Sequence, residues 1–96
     1  MKKEKINYNY VFLFYDVKEK RVSKVFKKCK KYLNHWQKSV FRGAILPSQI
    51  IELENELKKI INSNEDFISI VKIKNFKEIG ETNLGTIDKN TEDIFI

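Results

Sequence analysis

Residues 8–15, Tyr8-Asn9-Tyr10-Val11-Phe12-Leu13-Phe14-Tyr15, stopped by Asp16, decide the fold. As a strand this run sets Tyr10, Phe12 and Phe14 on one face and Val11, Leu13 and Tyr15 on the other, so it is apolar on both sides. That pattern belongs in the middle of a sheet covered on both faces. The chain has 96 residues, room for a single domain that buries only about 60% of its unfolded surface, so both covers must come from very few elements.

Downstream of Asp16 the period becomes helical. Val22, Val25, Phe26, Cys29, Tyr32 and Leu33 line one stripe from Glu19 to Leu33, and lysines fill the rest. Asn34 is expected to end this helix in a left-handed cap. Residues 35–46 return to strand character as two short strands or a bent hairpin whose turn the pattern does not place, with a bulge or bend expected at Gly43. Pro47 opens a second helix striped by Ile50, Leu53, Leu57, Ile60 and Ile61 and ending near Asn62. A turn at 62–66 leads to a last core strand, 67–73. The arm from 75 to 96 has no helical period, yet Phe76, Ile79, Leu84, Ile87, Ile94, Phe95 and Ile96 make it too apolar to hang free.

The order β-α-β-β-α-β plus an arm is that of a ferredoxin-like α+β fold, a single domain over 1–96 with its core at 8–74. Both helices then lie on one face of an antiparallel sheet, and the other face is open. Pairing of open faces in a two-fold homodimer is the simplest cover.

Composition excludes much. One cysteine and one histidine, Cys29 and His35, allow no intrachain disulfide and no zinc finger. No nucleophile elbow and no glycine-rich phosphate loop is present among three glycines. No apolar run suits a membrane span, and the first residues lack a signal-peptide cleavage pattern, so a cytoplasmic protein without membrane contact is expected. Charge is divided unevenly: residues 1–42 hold 13 basic and 3 acidic side chains, residues 43–96 hold 6 and 10. A polycationic half of a folded domain points to nucleic acid, or else to a solvated lysine-rich helix face.

Asp16 has two readings at this point. It is a favoured residue for capping the helix that follows. In a dimer of facing sheets it also approaches its mate, and two close carboxylates either raise one pKa or share a cation, for which magnesium is well suited.

Tyr15-Asp16-Val17, Lys20-Arg21 with Lys24-Val25, Gln37-Lys38-Ser39-Val40-Phe41-Arg42-Gly43 and Glu65-Asp66-Phe67 together resemble the CRISPR-associated protein 2 family over residues 8–74. The resemblance implies a ferredoxin-like dimer with the two Asp16 carboxylates at its interface. It also implies a role in spacer acquisition, with the dimer bridging the integrase CRISPR-associated protein 1, and a metal-dependent endonuclease activity on RNA or double-stranded DNA. Metal binding and catalysis fall on Asp16, with Mg2+ as cofactor. Lys20, Arg21, Lys24, Lys27, Lys28, Lys31, Lys38 and Arg42 become nucleic-acid contacts, and Arg42 is expected to add positive charge beside the metal. Phe12, Phe14, Ser39 and Phe41 become interface positions, although Phe41 also reads as core. The competing function is a toxin-like ribonuclease or non-catalytic RNA-binding module on the same fold.

Overall fold

The computed structural model describes residues 7–87. Strand β1 (Tyr10–Asp16) leads to α1 (Glu19–Tyr32), then β2 (Asn34–Gln37), β3 (Val40–Ala44), α2 (Pro47–Ile60), β4 (Phe67–Ile73) and a short 3-10 turn at Phe76–Glu78. The sheet order is β2-β3-β1-β4 and every pairing is antiparallel, so the doubly apolar strand lies inside the sheet, as its sequence requires. Val11, Leu13 and Tyr15 meet Val25, Phe26 and Cys29 of α1 and Ile50, Leu53 and Leu57 of α2 in one core. Phe41 is fully buried there, with its ring 5.2 Å from Phe26 and 6.2 Å from Tyr15. The expected interface role of Phe41 is therefore corrected: its β3 position faces the helices, not the open side.

Two local expectations also change, and the hairpin turn that the pattern left open is placed. Asn34 is not a left-handed cap. Leu33 leaves α1 in an extended conformation, with its N–H on the Cys29 carbonyl at 2.8 Å, and β2 starts at once. The irregularity expected at Gly43 lies instead between His35 and Gln37, while Gly43 pairs regularly with Val11. Glycine is favoured at 43, where φ is +157° and a Cβ would stand 3.3 Å from the Asn34 side-chain nitrogen, which would have to give way by a few tenths of an ångström. The hairpin turn falls at Lys38, the one described non-glycine residue with positive φ, at 41°.

The arm docks in part. Phe76 stacks on Tyr10 at 3.9 Å between centroids and lies 6.4 Å from Phe12, so it shields one end of the open face. Leu84 is 92% exposed. Lys2, Lys3 and Lys5 and the terminal Ile94, Phe95 and Ile96 lie outside the described residues. No helix among the described residues is long and apolar enough to cross a membrane.

Candidate functional site

Cross-strand pairing builds the open face in rows. Tyr10 pairs with Ala44 and Ile73, Phe12 with Arg42 and Val71, Phe14 with Val40 and Ser69, and Asp16 with Phe67. Partners in an antiparallel ladder share a face, so Asp16 ends an apolar row that includes Phe14, Val71 and Phe67, all exposed. The hairpin turn lies at the same end, because the Tyr15 N–H donates to the Ser39 carbonyl at 3.1 Å. Lys38 and Ser39 thus flank the end of β1.

Arg42 does not stand beside Asp16 as expected. Its register partner is Phe12, four residues up the strand or about 13 Å away, where its guanidinium lies 4.6 Å over the Trp36 ring and 2.5 Å from Glu81 of the arm. The charge offered to a phosphate there is already matched.

Asp16 is not a helix cap. The first residue of α1 is preceded by Lys18, whose side chain caps nothing. The work is done from 48 residues away: Asp66 Oδ1 accepts the Lys18 N–H at 2.9 Å. Asp66 Oδ2 also accepts Arg21 Nε–H at 2.5 Å and the Asn62 N–H at 2.8 Å, and Arg21 Nη2 reaches Oδ1 at 3.1 Å. Glu65 takes a further Arg21 hydrogen bond at 2.6 Å. The Asp66 side chain has no exposed surface, and the Arg21 guanidinium holds its carboxyl well below the usual carboxylate range. Arg21, expected as a phosphate contact, is instead spent on this clamp. The sequence contained the signal, since Glu65-Asp66-Phe67 is a motif of the resemblance, but nothing in its spacing assigns it a task.

The lysines lie elsewhere. Lys24, Lys27, Lys28 and Lys31 of α1 line a groove between the two helices with Lys59 of α2, a contribution that the α1 pattern alone did not reveal. Lys28 is paired with Glu56 at 3.1 Å, while Lys20, Lys24 and Lys27 project to solvent. This groove and Asp16 occupy opposite layers of the domain.

Cys29 and Tyr15 are not candidates for chemistry. Both are buried in the core, and burial pushes the Cys29 thiol up to about 12.

The family model described as "CRISPR associated protein Cas2" matches residues 9–79, a span that contains every element of the sheet and both helices. The chain belongs to the Cas2 family. Among its relatives, the CRISPR-associated endoribonuclease Cas2 of Thermotoga maritima is 37% identical over 87 residues, covering 91% of this chain and 98% of that one. The protein of the same name from Methanosarcina acetivorans is 33% identical over 85 residues, 88% and 98% of the two chains. A crystal structure of Streptococcus pyogenes Cas2 superposes with a TM-score of 0.67 at 31% identity over 79% of this chain and 99% of that one. Another Cas2 crystal structure reaches 0.76 at 34% identity, covering 85% and 92%. The match of family and sheet order fixes the fold as ferredoxin-like and the chain as CRISPR-associated.

Proposed function

We propose that this Cas2-family chain works as a homodimer joined through its open sheet faces, binding nucleic acid and carrying a magnesium-dependent endonuclease site at Asp16. The observation that carries the reading is the freedom of Asp16. It is an exposed carboxylate at the end of an apolar row, relieved of capping by Asp66. Phe14, Phe67 and Val71 are 41%, 64% and 47% exposed, an apolar patch that a second copy covers. Such pairing brings two Asp16 carboxylates toward one axis.

No group of three or more His, Cys, Asp or Glu converges among the described residues, so Asp16 is the carboxylate on which the reading rests. The donor set fits magnesium, which takes one or two carboxylates and fills its remaining positions with water and phosphate oxygens. When bound, the ion supplies an acidified water and neutralises charge on a phosphodiester. Asp16 holds it, Lys38 stands at the same end as a phosphate contact, and Ser39 fixes the end of β1 through its carbonyl. Phe12 and Phe14 exclude water at the interface.

The second role is retention. Lys20, Lys24, Lys27, Lys31 and Lys59 form a basic band on the helix layer that suits duplex phosphates without reading sequence. Binding there leaves the Asp16 face clear, so a scaffold for the partner integrase in spacer acquisition and a nuclease can share one fold. Cytoplasmic residence follows from that role.

The test is cleavage of single-stranded RNA and duplex DNA with and without Mg2+, comparing the wild type with Asp16→Ala at matched dimer mass. Magnesium-dependent cleavage lost only in the variant supports the reading. Cleavage that survives overturns it, and duplex binding without any cleavage leaves the scaffold alone.

A further inference from the structure

We propose that Asp66 is the positioning residue for Asp16, an inference that rests on the reading of Asp16 as the metal-binding carboxylate. The link between β1 and α1 is only Val17 and Lys18, and α1 brings no side-chain cap of its own. Asp66 supplies from the α2–β4 turn what the third helical residue supplies in a capping box, an acceptor for the N-cap N–H. It also immediately precedes Phe67, the cross-strand partner of Asp16. Asp16 is thus bracketed: its ladder partner and the acceptor for the corner behind it are consecutive residues.

The bracket is rigid because the Asp66 carboxylate has replaced its water with four donors from three segments. These are the Lys18 N–H at the β1–α1 corner, Nε and Nη2 of Arg21 in α1, and the Asn62 N–H after α2. Its side chain is fully buried, so a missing acceptor strands a donor instead of admitting solvent freely. The corner then shifts, and Asp16 shifts with it. A magnesium ion demands ligands near 2.0–2.1 Å in a strict geometry, so a displacement of about 1 Å is felt as lost affinity. Stability alone would not require the clamp to meet the chain at Lys18, two residues beyond Asp16, from the residue next to Phe67, the ladder partner of Asp16.

The test is a Mg2+ titration of the full-length 15N-labelled protein without nucleic acid, read from the amide shifts of Asp16 and Val17 and followed by RNA cleavage. Asp66→Asn is expected to raise the half-saturating Mg2+ concentration about tenfold, with an unchanged far-UV spectrum and dimer mass, and Asp66→Glu is expected to recover part of the loss. A purely stabilising clamp would reduce the folded fraction and leave the half-saturation of the folded protein alone. Arg21→Lys, which keeps the charge but not the fork, serves if Asp66→Asn does not fold, and a smaller rise in half-saturation supports the inference. Wild-type titration in every folded Asp66 and Arg21 variant, with Asp16→Ala silent, overturns the positioning role and leaves Asp16 standing. An Asp16→Ala protein that still titrates and cleaves overturns the Asp16 reading, and the inference with it.

Discussion

Along β1 the side chains facing the helices, Val11, Leu13 and Tyr15, are 0%, 0% and 5% exposed, whereas Phe14 on the opposite face is 41% exposed. Both sets are apolar, and both come from one seven-residue strand. What separates them is the supply of cover: two amphipathic helices close one face, while among the described residues of the arm Phe76 shields the Tyr10 end of the other. The closed face holds the domain together. On the open face Phe14, Phe67 and Val71 stay exposed, and the acidic residue stands beside them.

Substitutions of matched chemistry on the two faces break this comparison most sharply. Phe41→Ala removes a fully buried ring from the closed face and is expected to cost about 3–5 kcal/mol, a fall in Tm on the order of 15 °C. Phe14→Ala is expected to change the unfolding of the isolated domain by about 1 kcal/mol or less. Urea unfolding at a concentration where the wild type is monomeric measures both, and equal losses would mean that the open face is core.

Phe14→Asp reverses the order when assembly is measured. A charge placed in the apolar row beside Asp16 is expected to weaken dimerisation by about 30-fold or more, read as mass by sedimentation equilibrium. A dimer unaffected by this change would place the interface elsewhere, with Lys72 and Glu54 at the β4 edge, paired at 2.8 Å, as the next surface to alter.

The elements themselves were legible because their signals are local. The stripe of Val22, Val25, Phe26 and Cys29 and the alternation of Phe67 to Ile73 need no knowledge of neighbours, and the observed order and types agree with them. What was not legible is pairing at a distance. Nothing near Lys18 shows that its N–H will be accepted by Asp66, so Asp16, a good local cap by type, is wrongly available for that task from sequence alone. Arg21 reads as one more cation among lysines until its partners Asp66 and Glu65 are seen. Arg42 depends on register and on Glu81 in the same way.

The clamp makes the stability of the domain sensitive to acid. Asp66 and Glu65 have folded pKa values lowered by Arg21, and a lowered carboxylate contributes stability above its unfolded pKa, about 4, that is lost as pH falls toward the folded value. Urea midpoints are therefore expected to hold steady from pH 7 to 5 and to drop below about pH 4, with a shallower drop in Asp66→Asn. An equal drop in that variant would assign acid sensitivity to other pairs, such as Lys28 with Glu56.

The smallest expected effect asks which face meets the duplex. Lys27 lines the helix groove and forms no ion pair with a described residue, so Lys27→Ala is expected to lower the slope of log affinity against log salt by about 0.9. Arg42 lies on the open face with its charge matched by Glu81 at 2.5 Å, so Arg42→Ala is expected to leave that slope nearly unchanged. Fluorescence anisotropy of a labelled duplex over a salt series measures both. If Arg42→Ala lowers the slope as much as Lys27→Ala, the duplex runs across the open face. Retention and the Asp16 site would then compete for one surface, which the separation of lysines and carboxylate onto opposite layers argues against.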